Sequence, residues 1–116
     1  KDLIEKLLLD EQTIQIVFRK VSGNEFDVRY VFVNNFSDAN LENANFKNAN
    51  LVMTNFGSAN LTNADLSGAD LRNAFLGNAD LSNANLEGTN LQDAILDNAI
   101  LTGANLKCIN HPICNS

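Results

Sequence analysis

Apolar residues recur every five positions over most of the chain. From Ala39 to Cys108 the sequence divides without insertion into fourteen units, whose first residue is Ala in twelve and Thr in two. The third residue is Leu in twelve units and Phe in two, and the second is Asn or Asp in eleven. The last two positions are mostly polar or Gly. A period of five fits neither the helical repeat nor the strand repeat, so the chain has to turn every five residues.

A chain that turns in this way brings one large and one small side chain inward per unit. Gly and Asn, concentrated after the Leu, tolerate turn geometry best. Four such turns close a square coil of twenty residues, and Phe residues twenty apart support that length: Phe26 with Phe46, and Phe36 with Phe56. Val31 keeps the same phase, so the repeat is predicted to begin at residue 24. The predicted core ladder consists of Phe26, Phe36, Phe46, Phe56, Leu66, Leu71, Leu76 and Leu81.

The stretches ANLENANFKNANL (39–51) and ADLSGADLRNA (64–74) match the A-(D/N)-L-X-X motif. On these residues the chain resembles the pentapeptide-repeat proteins, and among them the small exported members of cyanobacterial type. The resemblance implies an all-β solenoid, a right-handed four-sided parallel β-helix with Leu or Phe and the preceding Ala inward. We expect about four coils over residues 24–108, a column about 20 Å tall at a strand spacing of about 4.8 Å.

An N-terminal cap is predicted over residues 1–23, because a solenoid end exposes apolar surface and an unpaired strand edge. KDLIEKLLLD places Leu3, Ile4, Leu7 and Leu8 on one face of an α-helix. The following segment, 11–23, fits two structures. Ile14, Val17, Phe18 and Val21 have helical spacing, whereas Ile14, Ile16 and Phe18 alternate as in a strand.

The tail, residues 109–116, contains Pro112, which removes a backbone donor and ends the ladder. Cys108 and Cys114 have a Cys-x5-Cys spacing that suits neither a redox CxxC motif nor a zinc knuckle, and His111 alone does not complete a metal site. A disulfide, free thiols and a metal site stay open on the residues. Several exported pentapeptide-repeat proteins bracket the solenoid end with a disulfide, and the resemblance favours that pairing here. A disulfide would indicate export to the periplasm or a thylakoid lumen; the cytoplasm is the alternative.

Charge and motifs narrow the function. The formal net charge of −6, from 14 acidic and 8 basic residues, argues against a nucleic-acid partner. No apolar run is long enough to insert into a membrane. With one His and no HExxH, P-loop or GxGxxG motif, we expect neither enzyme activity nor a cofactor or metal.

Most outward positions of the repeat are polar, and the outward positions that carry apolar residues are the candidate contact surfaces. Phe75 and Ile95 are twenty apart and are predicted to stack on one side, with Ile100 on the next. A second cluster, Phe32, Val33, Val52 and Met53, is expected either to be covered by residues 11–23 or to be a contact surface. Exposed apolar patches often mark protein contacts. The sequence therefore predicts a non-enzymatic protein-interaction module, acting on an unidentified partner or by self-association. The alternative is a DNA mimic that inhibits a type II topoisomerase, as some pentapeptide-repeat proteins do.

Overall fold

The N-terminal part of the described chain is a β-hairpin. The computed structural model describes residues 17–22, 25–29 and 35–115. Strand β1 runs over Val17–Ser22 and strand β2 over Glu25–Arg29. The two pair in antiparallel fashion, with Lys20 opposite Phe26, and the register shifts between Lys20 and Ser22.

This hairpin corrects two expectations. The strand interpretation holds over Val17–Ser22, and the helical one is wrong there. The repeat does not include residues 25–29, because Phe26 belongs to a strand that pairs in antiparallel fashion. The physical reason is that Val28 stands at the last position of the unit, where the column has a positive φ, and a β-branched residue disfavours that conformation. The predicted helix over residues 1–10 lies outside the described residues, as does Val31.

From Asn35 onward the chain forms a four-sided column of parallel coils. From Asn35 to Asn85, each outward residue that precedes a central Leu or Phe forms a parallel bridge with the residue twenty positions on, as in Asn35 with Asn55 and Asp65 with Asn85. From Phe36 to Leu91, the backbone N–H of each central residue donates to the next coil, for example Leu66 N to Asn85 O at 2.8 Å. The described column therefore contains fifteen units, from the one centred on Phe36 to the one centred on Leu106, just under four coils.

Every side of the coil ends in the same tight turn. The N–H of the residue three positions after the central one closes it, as in Ala44 N to Leu41 O at 3.0 Å. The last residue of each unit has a positive φ, from Asp38 at 63° to Gly103 at 73°. This combination is typical of a type II turn, which favours Gly or Asn at that position. Asp38, Ser58 and Asp93 also occupy this position, and Met53, at φ 63°, is the apolar exception among residues 35–115.

The core is a stack of large side chains separated by small ones. Phe36, Phe46, Phe56, Leu66, Leu71, Leu76 and Leu81 all have 0% exposure. Phe36 and Phe56 stack at 5.2 Å between ring centroids, and the Phe46 ring meets each of them edge-on. Thr54 and Thr89 occupy the Ala position and are also buried. The Thr89 hydroxyl donates to the Leu66 carbonyl at 2.6 Å, so its burial leaves no unmet hydrogen bond.

The outward Asn and Asp residues hold the turns together. In twelve units the Oδ1 atom of this residue accepts the N–H two residues on, as Asn55 does from Gly57 at 2.8 Å and Asp80 from Ser82 at 3.0 Å. Such Asx turns satisfy a backbone donor that the coil does not use. The polar ladder is therefore structural as well as solvent-exposed.

Candidate functional site: the apolar outer positions

The column has four sides, and each takes the name of one of its outward residues toward the C-terminal end. The Phe75 side comprises residues 35–38, 54–58, 74–78 and 94–98, and the Ile100 side comprises 39–43, 59–63, 79–83 and 99–103. The Asn105 side, 44–48, 64–68, 84–88 and 104–108, lies opposite the Phe75 side. The Ile109 side, 49–53, 69–73 and 89–93 with the tail, lies opposite the Ile100 side. Bridges from Asn55 to Phe75 and from Phe75 to Ile95 place these three residues in one column of stacked side chains.

The Phe75 ring lies against two glycines one coil apart. A Cβ built on Gly77 would overlap the ring atom Cζ, and one built on Gly57 would lie 2.9 Å from Cε2. Neither glycine has a positive φ, so the backbone does not require glycine at either position. Both are buried, whereas Phe75 itself is 40% exposed. The two glycines form a shelf that seats the ring, and this shelf is a site feature that the repeat pattern alone did not reveal.

Phe75, Ile95 and Ile100 each give up an Asx turn. Because their side chains accept no hydrogen bond, the N–H groups of Gly77, Asp97 and Thr102 have no hydrogen-bond partner among residues 35–115. A lost hydrogen bond of this kind costs about 0.5–1.5 kcal/mol. Ile95 and Ile100 are each 48% exposed, so the burial of their side chains offsets only part of this free-energy cost.

The second predicted cluster is only partly described. Phe32 and Val33 lie outside the described residues. Val52 is half-buried and Met53 is 65% exposed, on the Ile109 side of the column. Val52 and Met53 do not form a continuous patch with Phe75. They lie in the turn before Asn55, which is one coil below Phe75.

Ile109 is an exposed apolar residue that sequence reasoning missed. It bridges Asn90 at a separation of nineteen, not twenty, and is 48% exposed. The last unit is one residue shorter than the rest, and this moves Cys108 into the small inward position, where it is 7% exposed. A strict period of five would have placed Ile109 inward, so the sequence carried no signal for its exposure.

The tail folds back on the Ile109 side and closes it. Cys108 and Cys114 form a disulfide with Cα atoms 5.0 Å apart. His111 Nε2 lies 3.0 Å from the Ala94 carbonyl, and Ile113 N–H donates to His111 Nδ1 at 3.3 Å. This pair of contacts requires Nε2 to carry the proton. Asn115 N–H donates to the Leu106 carbonyl at 2.8 Å, so the tail is tied to the last coil on both flanks.

The acidic side chains are engaged locally and on different sides of the column. Hydrogen bonds donated by the Ser67 hydroxyl and then by its N–H lower the pKa of Asp65, with a smaller contribution from Lys47. The Ser82 hydroxyl and N–H lower the pKa of Asp80 in the same way. The Arg72 guanidinium, at 2.7 Å, is the main cause of the lowered pKa of Asp70. These carboxylates stabilise turns and do not converge on a reaction centre.

No group of three or more His, Cys, Asp or Glu side chains is placed to hold a metal ion within the described residues. Within the same part of the chain, no helix has the length and apolarity needed to cross a membrane.

Comparison with known families identifies the repeat. The family model for pentapeptide repeats matches residues 39–78 and 79–110. The chain belongs to the pentapeptide repeat family. Among solved structures, the pentapeptide repeat protein Rfr23 from the cyanobacterium Cyanothece 51142 is 41% identical, with a TM-score of 0.59 over 60% of this chain and 48% of that one. A pentapeptide repeat protein from the Arabidopsis thaliana thylakoid lumen is also 41% identical, with a TM-score of 0.60 over 62% of this chain and 50% of that one.

These pentapeptide repeat neighbours imply that the four-sided column is a right-handed β-helix. The chain spans about half the length of both. QnrB1, a plasmid-mediated fluoroquinolone resistance protein, aligns with 80% of this chain at 21% identity and a TM-score of 0.55, which shows a shared fold. No curated protein sequence matches the chain. Pentapeptide repeat proteins are non-enzymatic structural modules, and no catalytic family is matched.

Proposed function

We propose that this pentapeptide repeat protein is a protein-interaction module that makes contact through the Phe75 side of its column. Phe75 and Ile95 form the centre of the surface, and Ile100 extends it onto the adjoining side. The partner is an unidentified protein, and the expected location is an oxidising compartment outside the cytoplasm. The Cys108–Cys114 disulfide and the likeness to a thylakoid-lumen protein support that location.

The observation that carries the proposal is the coincidence of two features at the same three positions. Of the outward second positions in the column, only those of Phe75, Ile95 and Ile100 lack an Asx turn within residues 35–115, and all three carry a large, exposed apolar side chain. Asn or Asp at any of these three positions would restore the hydrogen bond of the Asx turn and would remove an exposed apolar side chain. The glycine shelf adds to this, because Gly57 and Gly77 leave space that the Phe75 ring occupies. A contact surface explains why these positions depart from the pattern.

The repeat itself supplies the best variants for a test. Phe75→Asn combined with Ile95→Asn restores the residue type found at the same position in neighbouring units, so the variant should fold with its Asx turns complete. We expect affinity capture from an extract of the source organism to lose the wild-type partner with this double variant. Identical captured proteins for the wild type and the double variant would refute the proposed surface.

A matched control replaces a polar residue with an apolar one on the Asn105 side, which lies opposite the Phe75 side. Asn85→Ile removes one Asx turn and adds one exposed Ile on the Asn105 side, in the middle of the column. We expect this variant to be less stable by about 0.5–1.5 kcal/mol and to capture the same partner as the wild type. Loss of the partner with Asn85→Ile would show that capture follows stability and not the Phe75 side.

No specific observation favours the topoisomerase alternative. A DNA mimic needs acidic groups in the continuous pattern of phosphates, whereas Asp65, Asp70 and Asp80 lie on three different sides and are bound to neighbouring side chains. The likeness to QnrB1 extends to the fold alone. We expect the purified protein to leave DNA supercoiling by gyrase unchanged, and inhibition in that assay would reverse the ranking of the two functions.

A further inference from the structure

The ring of Phe75 presents one side to solvent, although it is seated on the column. Ring atoms Cζ, Cε1 and Cε2 lie closest to the Cβ position of Gly77, and Cε2 and Cδ2 lie 2.9 and 3.2 Å from that of Gly57. The ring therefore spans two coils, and the glycine backbone covers its inner side. Because Phe75 is still 40% exposed, the side turned away from the glycines is open. The face of an aromatic ring carries the negative part of its quadrupole and attracts a cation.

Two acidic residues flank the ring along the Phe75 side. The Asp97 carbonyl accepts the N–H of the residue that follows Gly77, at 2.9 Å, so Asp97 lies one coil above Gly77. The Asp38 N–H donates to the Gly57 carbonyl at 2.9 Å, so Asp38 lies one coil below Gly57. Successive coils are about 4.8 Å apart. A group seated on the ring therefore has an acidic residue about one coil away in each direction.

The carboxylate of Asp97 is available for an external contact. Asp65 and Asp80 accept hydrogen bonds from the hydroxyl groups of Ser67 and Ser82. By contrast, no residue within 35–115 donates a hydrogen bond to the Asp97 carboxylate or forms an ion pair with it. Asp97 is also exposed. A cation bound to this carboxylate would therefore displace no contact between residues of that part of the chain.

No Lys or Arg within residues 35–115 lies on the Phe75 side or on the adjoining Ile100 side. The three basic residues of this part of the chain all lie on the other two sides: Lys47, Arg72 and Lys107. The charged groups around the exposed apolar side chains are therefore carboxylates. Charges across a protein interface are usually complementary in sign, so a cationic group is expected on the partner.

We propose that the partner binds the Phe75 side with an arginine side chain, which stacks on the open side of the Phe75 ring and donates hydrogen bonds to the Asp97 carboxylate. This inference rests on the proposed contact through the Phe75 side and adds the chemistry of the partner. A guanidinium suits both contacts because it is planar, has five N–H donors and is more weakly hydrated than the ammonium group of Lys. Ile95 lies one coil above Phe75, and we expect it to contact the methylene groups of the Arg side chain.

A peptide titration followed by NMR tests this chemistry with defined probes. The probe is acetyl-Leu-Arg-Leu-amide. In two matched peptides the Arg is replaced by citrulline, which keeps the planar group without the charge, or by Lys, which keeps the charge without the planar group. We expect the Arg peptide to shift the amide signals of Gly57 and Gly77 and to bind about threefold or more tightly than either matched peptide. Because the contacts are exposed, binding is expected in the millimolar range.

Two conservative variants assign the contacts. Phe75→Leu keeps an apolar side chain and removes the aromatic face, and Asp97→Asn keeps the size of the side chain and removes its charge. Each is expected to weaken binding of the Arg peptide by about two- to fivefold. The matched control is Glu87→Gln, which removes a carboxylate from the same position of a unit on the Asn105 side and should bind like the wild type. Thermal unfolding of each variant establishes that it is folded before comparison.

Failure of this inference and failure of the proposed function give different results. Equal binding of the three peptides by the wild type, or unchanged binding of the Arg peptide in Phe75→Leu and Asp97→Asn, would overturn the arginine contact. In affinity capture, the same two variants should lose partner relative to the wild type. If they kept it while Phe75→Asn combined with Ile95→Asn lost it, the contact through the Phe75 side would stand and the arginine contact would be refuted.

Discussion

The seat of Phe75 on its glycine shelf can be tested by a double-mutant cycle. Gly77→Ala places a Cβ where Cζ of the ring lies, so the ring has to leave the shelf. Phe75 is 40% exposed, and burying the remaining part of a side chain of about 200 Å² at about 25 cal/mol per Å² is worth at most about 3 kcal/mol. Gly77 does not have a positive φ, so the Ala itself recovers about 0.4–1 kcal/mol through the unfolded state.

We therefore expect Gly77→Ala to change the stability in opposite directions in the wild type and in the Phe75→Asn variant. In the wild type, Gly77→Ala should destabilise the protein by about 1–2 kcal/mol. In the Phe75→Asn variant the ring is absent, and the same change should stabilise by about 0.4–1 kcal/mol. Urea unfolding of the four proteins measures the difference, which we expect to be about 1.4–3 kcal/mol. A coupling energy below about 0.5 kcal/mol would show that the ring does not depend on the shelf.

Three further perturbations examine the core, the turns and the Asx ladder. Leu71→Ala should cost about 2–5 kcal/mol, because Leu71 is fully buried in a narrow core; an unchanged melting temperature would contradict its inward position. Met53→Asn should stabilise by about 0.5–1 kcal/mol, since Met53 holds φ at 63°, and a lower melting temperature would refute this. Asp65→Asn with Asp80→Asn should flatten the loss of stability in acid. Both folded-state pKa values are lowered from 3.8, so their contribution is present above pH 3.8 and is lost as pH falls through the folded values. An unchanged slope in acid urea titrations would count against these carboxylates.

The column could be predicted from the sequence because every side of it repeats one local structure. Each unit has the same inward pair and the same turn, so a period of five specifies which residues are buried without any long-range information. The predicted start of the repeat at residue 24 was wrong, because Glu25–Arg29 form an antiparallel strand. The alternation of Ile14, Ile16 and Phe18 in the sequence was the better guide to strand Val17–Ser22, and the hairpin there is paired locally.

The stacking of residues in the candidate site could be predicted from the sequence, but the glycine shelf and the exposure of Ile109 could not. The twenty-residue coil placed Phe75 over Asn55 and beside Ile95 because stacking follows directly from the period. The shelf was not predicted, because Gly57 and Gly77 stand at a position where any residue type is acceptable to the backbone. Ile109 was missed because the last unit is one residue short, and a shortened unit leaves no trace until the chain is paired with the coil below it.

A solenoid of this kind has few positions where a change of residue carries information about function. The inward pair is restricted by packing, and the last position of each unit by its positive φ. The fourth position accepts almost any side chain, so Lys47 or Val52 there says little. The second position lies between these extremes, because an apolar residue is accommodated there only by giving up an Asx turn. Large apolar residues at that position are therefore the departures that selection for folding alone would remove, and this is why the contact surface is sought at Phe75, Ile95 and Ile100.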